Sequence, residues 1–210
     1  MLHNLSRELR LALEDVADGK AHLEQEHVLY ARCVDFAFLK NASKMEHHEQ
    51  WELKYPKTEE NAGSMRIRAR KTVRPGLDPE YTQTSKTIDP ETKGNNEVTL
   101  PITEALFQQF RIGSTNGMRK DRYFFPVDDD SGLVYEVDMF LKHGTQAGAE
   151  QYYEWCKIDL EVNDMTTALP PLPQGFTDII SAPFGKRTDA EEARVTALYH
   201  NEFTAKNMFL

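Results

Sequence analysis

Three arginines occupy alternate positions in the segment RIRAR, and a charged row of this kind can bind a polyanion. Arg66, Arg68 and Arg70 would lie on one face of a strand, with Ile67 and Ala69 on the other. Alternate side chains on a strand are roughly 6 to 7 Å apart, so the three arginines fit a run of linked phosphates better than a single phosphate. Arginine suits this task because its planar guanidinium binds phosphate oxygens in pairs.

Two later segments carry pairs of carboxylates in the same alternating arrangement. In VYEVDMF the acids are Glu136 and Asp138, and in KIDLEV they are Asp159 and Glu161. Like charges on one face of a sheet repel each other unless an opposite charge neutralises them. Carboxylate oxygens are ligands that hard divalent cations prefer. These segments therefore predict a metal site.

Other alternating segments add further acidic and basic residues to this set. The positions that carry these further charges are Glu52, Lys54, Lys86, Glu97, Lys120 and Arg122. The lysines would act as movable point charges beside the arginine side chains. Every strand candidate therefore has one charged face and one apolar face.

The period of the hydrophobic pattern divides the chain into helical and strand-like parts. Leucines at three- and four-residue steps predict a helix over residues 2 to 18, and looser spacing predicts a second helix from 20 to about 40. From residue 46 the period is two, which predicts antiparallel strands separated by turns such as PGLDPE and STNG. A short helix at TEALFQQF, capped by Thr103, and a last helix from about residue 188 complete the predicted elements.

Two arrangements of the strands fit this pattern. In the first, a half-solvated sheet turns its polar face to water and its apolar face to helices. In the second, the sheet closes and the charged faces converge on a lumen, where bound ions would neutralise the like charges. We expect the second, an α+β fold with a closed antiparallel β-barrel of charged interior and helices packed outside. Residues 1–45 would form an N-terminal helical extension packed on the barrel, and residues 46–210 the tunnel domain.

Composition limits the class of protein. The 210 residues carry a net charge of −9 and two cysteines. The negative charge argues against binding of DNA or of nucleic acid in general, because such proteins attract phosphate through a positive field. No apolar run is long enough for a bilayer, no secretory signal opens the chain, and Cys33 and Cys156 give no disulfide framework. We therefore expect a cytoplasmic protein that does not enter a membrane, and the sequence leaves its oligomeric state open.

The charged segments, taken in order, resemble the CYTH superfamily, also called the triphosphate tunnel metalloenzymes. QWELK stands in the place of that family's opening Glu-x-Glu-x-Lys signature, with Gln50 where the signature has its first Glu. The family's strand motifs are matched by MRIRARK, TSKT, NEVTL, RKDRYFF, YEVDMF and KIDLEV, and its closing Tyr-x-Asn segment by LYHNEFTA. The resemblance covers residues 46 to about 205.

The resemblance implies a tunnel that binds a triphosphate together with Mg²⁺ or Mn²⁺. The metal-side acids would be Glu52, Glu97, Glu136, Asp138, Asp159 and Glu161. The residues that bind the phosphates would be Lys54, Arg66, Arg68, Arg70, Lys86, Lys120 and Arg122, and Lys54 and Glu52 would also be the catalytic residues. The neutral Gln50 predicts weaker metal binding than a glutamate at that position would give.

Three functions are compatible with the resemblance. The first is a metal-dependent hydrolase of a triphosphate, with tripolyphosphate, a nucleoside triphosphate or an RNA 5′ end as substrate. The second is an adenylate cyclase of the class IV type. The third is a protein that binds a nucleotide or polyphosphate without turnover, since Gln50 brings no charge to the metal. We favour the hydrolase.

A few residues beside these motifs allow predictions of their own. His48 shares a face with Gln50 and is expected to be a solvated histidine at the mouth of the barrel rather than a ligand. Trp51, Tyr123 and Phe125 are expected in the core beneath the helices, and Cys156 is expected to be a packing residue.

Overall fold

The computed structural model describes most of the chain between residues 22 and 182, together with a few residues further on. The described residues are 22–24, 26–33, 35–54, 66–88, 95–114, 116–127, 131–142, 152–162, 167–182, 190, 193–194 and 197. They belong to two compact units. Unit 1 takes its described residues from Met1–Glu24, Gln50–Lys71 and Glu80–Thr115, and unit 2 takes them from Gln25–Glu49, Thr72–Pro79 and Asn116–Leu210.

Antiparallel strands make up most of the described residues, with few helices between them. The strands are β1 (His22–Glu24), β2 (Glu26–Cys33), β3 (Lys44–Lys54), β4 (Arg66–Val73), β5 (Glu80–Ile88), β6 (Asn95–Pro101), β7 (Asn116–Pro126), β8 (Val134–Leu141), β9 (Tyr152–Glu161) and β10 (Phe176–Ala182). A 3-10 helix spans Phe36–Asn41, and an α-helix, α1, spans Glu104–Gly113. None of the helices within the described residues is both long enough and apolar enough to cross a membrane.

Two of the predicted helices fall wholly or partly outside the described residues. The helix predicted over residues 2 to 18 lies outside them. Of the last predicted helix, residues 190, 193, 194 and 197 are described, and all four are helical.

In unit 1 the strand order is β1-β6-β5-β4-β3, and α1 packs against an apolar face of this sheet. The helix begins after Thr103, whose side-chain oxygen accepts a hydrogen bond from the Leu106 amide at 3.2 Å, so the predicted cap is confirmed. The buried residues of this core are Trp51, Ile67, Ala69, Leu106, Phe107 and Phe110. The prediction that Trp51 lies beneath a helix is therefore confirmed.

In unit 2 the strand order is β3-β7-β8-β9-β2-β10. One face of β7, β8, β9 and β2 forms a large apolar core, against which Phe36 and Phe38 of the 3-10 helix and Tyr123 pack. Phe125 and both free cysteines are buried in this core, which confirms the packing role predicted for Cys156.

The helix predicted from residue 20 to about 40 is wrong. Residues 22 to 24 and 26 to 33 form β1 and β2, and only the 3-10 helix Phe36–Asn41 is helical in this region. β2 lies between β9 and β10, and the run from Leu29 to Ala31 is buried throughout. A strand buried on both faces reads as a continuous apolar run, which spacing alone does not distinguish from a helix.

The closed barrel predicted from the charge pattern is not what the structure shows. Among the described residues, the strand order of unit 1 ends at β1 and β3, and that of unit 2 ends at β3 and β10, so neither closes on itself. The charge pattern fixes which side chains share a face, but closure depends on the tilt and stagger of the strands. β10 is irregular as well, because its register against β2 shifts between Thr177 and Ile180, and Asp178 has a φ of 49°.

Candidate anion and metal site

Six charged side chains lie together on one face of the three neighbouring strands β7, β8 and β9 of unit 2. The strand register places Arg122 opposite Asp138, Asp138 opposite Lys157, and Glu136 opposite Asp159. Alternation along each strand puts these residues and Lys120 on the side away from the large core. We call this set the charged cluster: Lys120, Arg122, Glu136, Asp138, Lys157 and Asp159.

Arg122 is the centre of the charged cluster. Its Nε donates to Asp138 Oδ1 at 2.7 Å and its Nη2 donates to Asp138 Oδ2 at 2.9 Å. Its Nη1 donates to Glu136, and its Nη2 lies 3.8 Å from Asp159 Oδ2. One guanidinium therefore contacts all three carboxylates. Bidentate charge-assisted hydrogen bonds of this kind are among the strongest in proteins.

Two lysines complete the balance of charge. Lys120 donates to Asp138, and Lys157 donates to Asp159 Oδ2 at 2.7 Å. Three cations thus face three carboxylates. Lys157 was not among the predicted site residues, although it precedes Asp159 by two positions and therefore shares its face.

The two acids of β8 differ in the direction of their pKa shifts. Burial alone would raise the pKa of the Asp138 carboxyl, but Arg122 and Lys120 outweigh burial and hold this pKa well below its usual value. Burial raises the pKa of Glu136, with repulsion from Asp138 and Asp159 adding to it against the attraction of Arg122. Burial would lower the pKa of Arg122, yet Asp138, Glu136 and Asp159 together hold it well above its usual value. Asp138 and Arg122 are therefore both charged and form an ion pair.

Glu136 and Asp159 have the donor atoms that a hard divalent cation needs. Asp159 is only 5% exposed, and its Oδ1 is buried with no hydrogen-bond partner among the described residues. Mg²⁺ is often bound through one or two carboxylates, with waters and substrate oxygens filling its other positions. Within the described part of the chain, no three His, Cys, Asp or Glu residues form a ready metal-binding group. The fit is thus that of two carboxylates, not of a complete protein cage.

The face that carries the charged cluster is not charged throughout. Phe140 stands opposite Lys120, and Tyr30 stands opposite Lys157. Together with Ile180 they form a small buried apolar group beside the charges.

Unit 1 carries a second, smaller charged group. Lys86 Nζ lies 2.6 Å from Glu97 Oε2, as their opposition in the β5 and β6 register allows. Burial would raise the pKa of the Glu97 carboxyl, but Lys86 and Arg68 outweigh burial and hold this pKa below its usual value. The structure therefore brings together three residues that the sequence assigned to one site.

The remaining predicted site residues of unit 1 lie on β3 and β4. Arg66 is exposed, while Arg68 and Arg70 are half-buried and alternate with the buried Ile67 and Ala69, as predicted. Glu52 is half-buried. The backbone of Lys54 ends β3, and its side chain lies outside the described residues. Glu161 in unit 2 is exposed, at the end of β9 and opposite Glu26 of β2.

Gln50 is buried on the face of β3 that the opening motif assigned to the site. It is 6% exposed, and its Oε1 has no hydrogen-bond partner among the described residues. A buried amide oxygen without a partner costs free energy, so such a group is a candidate for contact with a ligand, an ion or water.

His48 does not have the solvated position predicted for it, because it is only 2% exposed. Its Nε2 donates to Glu46 at 2.9 Å, and Glu46 also accepts from Arg74 Nε at 2.6 Å and from Lys44 at 2.7 Å. Burial alone would raise the pKa of Glu46, but these donors outweigh burial and lower it. The sequence reading missed Glu46, although it lies on the same alternate positions of β3 as His48 and Gln50.

Comparison with protein-family models finds no match, and comparison with curated proteins finds none either. Two solved structures similar to this chain are those of the inorganic triphosphatase NE1496 and of the hypothetical protein NE1496, each with 19% identity and a TM-score of 0.42. The first match covers 77% of this chain and 89% of that one, and the second covers 75% and 88%. The PH1819 protein from Pyrococcus horikoshii OT3 is 16% identical over 65% of this chain and 77% of its own, with a TM-score of 0.39.

The resemblance to a known family comes from the ordered set of motifs in the sequence. By those motifs the chain resembles the CYTH superfamily.

Proposed function

We propose that this chain is a metal-dependent hydrolase that acts on a triphosphate. The observation that supports the proposal is the charged cluster, in which three buried or half-buried cations pair with carboxylates on one face of β7, β8 and β9. A mixed set of this kind suits a substrate that arrives as a polyanion with a divalent cation. Phosphoryl transfer asks little covalent chemistry of the protein and depends on position and charge.

Arg122, Lys120 and Lys157 would bind phosphoryl oxygens, because each is a hydrogen-bond donor on one face of the sheet. The arginine fork would hold two oxygens of one phosphate, and the lysines would follow the charge as it moves. Arg66, Arg68, Arg70, Lys86 and Lys54 are assigned to phosphate binding by the sequence resemblance alone.

Glu136 and Asp159 would hold Mg²⁺ or Mn²⁺, with Asp138 kept ionised beside them by Arg122 and Lys120. The chemistry that such a cation would supply is neutralisation of charge on the phosphoryl oxygens and a more acidic water. Glu52, Glu97 and Glu161 are further metal-side candidates from the motifs, and Glu52 and Lys54 the catalytic candidates. What the chain itself contributes is orientation, since the register of β7, β8 and β9 places the cations and the carboxylates on one face of the sheet.

The test is incubation of the purified chain with tripolyphosphate or ATP and Mg²⁺ or Mn²⁺, followed by mass spectrometry of the products. Free phosphate is the expected product. Formation of cyclic AMP from ATP would replace the hydrolase with the class IV cyclase. Arg122→Gln should abolish turnover, while Arg111→Gln, a change of the same charge on α1, should preserve it.

A second candidate is a protein that binds a nucleotide or polyphosphate without hydrolysing it. The observation that favours it is that no three potential ligands in the described residues form a ready metal-binding group. Tight binding of tripolyphosphate by calorimetry, without any product in the same sample, would decide for this candidate.

A further inference from the structure

Arg122 occupies the position that a cation bound by the carboxylates of the charged cluster would need. Both oxygens of Asp138 accept hydrogen bonds from Arg122, and Asp138 Oδ2 also accepts from Lys120. Glu136 Oε2 accepts from Arg122 as well. Asp159 Oδ2 is held by Lys157. Of the oxygens of Asp138 and Asp159, only Asp159 Oδ1 is buried without a hydrogen-bond partner in the described residues.

A divalent cation must displace the charge-assisted hydrogen bonds that these carboxylate oxygens already accept. Mg²⁺ requires its oxygen ligands at about 2.0 to 2.1 Å, which leaves no room for a guanidinium between the same carboxylates. Arg122 holds Glu136 through its Nη1, and its Nη2 lies 3.8 Å from Asp159 Oδ2, so the guanidinium fills the space between the two carboxylates. Glu136 and Asp159 would share one cation only when Arg122 leaves that space. A phosphate or another tetrahedral oxyanion can draw it away, because the guanidinium fork binds such oxygens in the same bidentate geometry.

We propose that Arg122 is an internal counter-ion that competes with the divalent cation, so that binding of an oxyanion to Arg122 strengthens binding of the cation to Glu136 and Asp159. This inference rests on the proposed function, which identifies the charged cluster as the site. It adds a coupling between the oxyanion and the divalent cation that bind there. Coupling of this kind is reciprocal, so the cation must strengthen binding of the oxyanion by the same factor.

The usual expectation for a phosphate-binding arginine is that its loss leaves metal affinity unchanged or reduces it. The competition described above predicts the opposite sign. Arg122→Gln should bind Mn²⁺ roughly fivefold or more tightly than the unchanged chain, in the range typical of coupling between sites. Arg32 lies on the neighbouring strand β2 and forms an exposed ion pair with Glu154 of β9. Arg32→Gln removes the same charge and should leave Mn²⁺ affinity unchanged.

The unchanged chain provides an independent measurement, which is needed if Arg122→Gln fails to fold. Mn²⁺ binding, followed by electron paramagnetic resonance of the free ion, should become tighter when sulfate is added. Sulfate also forms complexes with Mn²⁺ in solution. That effect alone would make binding of Mn²⁺ to the protein look weaker, so it cannot imitate the expected tightening. In folded Arg122→Gln the effect of sulfate should disappear.

The proposal is overturned if Arg122→Gln folds and binds Mn²⁺ no more tightly than the unchanged chain. It is equally overturned if sulfate does not tighten Mn²⁺ binding to the unchanged chain, or if neither protein binds Mn²⁺. Because these measurements read binding and not turnover, they separate the two proposals. A chain that hydrolyses no triphosphate can still show the coupling, and an active hydrolase can lack it.

Discussion

Arg122 and Asp138 form a bidentate ion pair, with hydrogen bonds of 2.7 and 2.9 Å between the guanidinium and the two carboxylate oxygens. Asp138 is 1% exposed, so the pair is closed to water on the carboxylate side. Removal of one partner of a buried ion pair strongly lowers the free energy of unfolding, because the remaining charge is left buried without compensation.

Asp138→Asn should therefore lower the free energy of unfolding by roughly 3 to 5 kcal/mol, since Arg122 and Lys120 would both lose their shared carboxylate. Urea denaturation followed by circular dichroism measures this change. Glu154→Gln breaks the exposed pair with Arg32 and should leave the unfolding midpoint nearly unchanged. Equal shifts for the two variants would contradict the importance assigned to burial.

Glu46 should make the stability of the chain depend on pH in the acid range. Its pKa in the folded chain is lowered by His48, Lys44 and Arg74 against the effect of burial, so the folded pKa lies below the unfolded one. Its contribution is present above about pH 4.3, and it is lost as the pH falls below that value through the folded pKa. Glu46→Gln should flatten the acid limb of a plot of unfolding free energy against pH by up to about 1.4 kcal/mol per pH unit. An acid limb of unchanged slope would show that Glu46 titrates alike in both states.

Phe107 should be a large contributor to the stability of unit 1, because it is buried in the core that α1 forms with Trp51 and Ile67. Phe107→Ala should lower the free energy of unfolding by about 3 to 5 kcal/mol through loss of apolar contacts and the cavity left behind. Ile112 on the same helix is 86% exposed, and Ile112→Ala should change stability by less than about 0.5 kcal/mol. Similar losses for both variants would argue against the described packing of α1.

Gln50→Glu should raise the affinity for Mn²⁺, because it restores the carboxylate of the opening motif at a buried position whose amide oxygen has no partner in the described residues. By analogy with losses around metal sites, the increase should be roughly tenfold or more. Isothermal calorimetry measures it. Gln109→Glu adds the same charge on the exposed side of α1 and serves as the control. Unchanged or weaker Mn²⁺ binding by Gln50→Glu would show that the side chain at position 50 does not contact the metal.

The alternation of charged and apolar residues predicted the strands β3 to β9 and the face on which each charge lies. The signal was strong there because each of these strands buries one face against apolar residues, as Ile67 and Ala69 do beside Arg68. β2 was predicted as a helix because both of its faces pack against apolar residues, so polar and apolar residues do not alternate from Val28 to Ala31. It also pairs with a strand on each side, β9 and β10. The residue propensities and hydrophobic spacing of one segment do not show that it pairs with strands from distant parts of the chain.

The sequence singled out five of the six residues of the charged cluster, but it did not predict how they pair with one another. The sequence identified Arg122, Asp138 and Asp159, but it assigned the cations to bound phosphates and the acids to a bound metal ion. The structure pairs them with one another, through a register that joins β7, β8 and β9. Lys157 was missed for the same reason, since its role depends on Asp159 and on the strand beside it and not on a motif.

β10 ends the described strand order of unit 2, and its irregular register around Asp178 has a consequence for the behaviour of the chain at high concentration. A straight, regular outer strand offers its free amides and carbonyls as a template on which another molecule can add a strand. The left-handed backbone at Asp178 and the shift between Thr177 and Ile180 break that template. Among the described strands, this bulge makes β10 a poor template for the addition of a strand from another molecule.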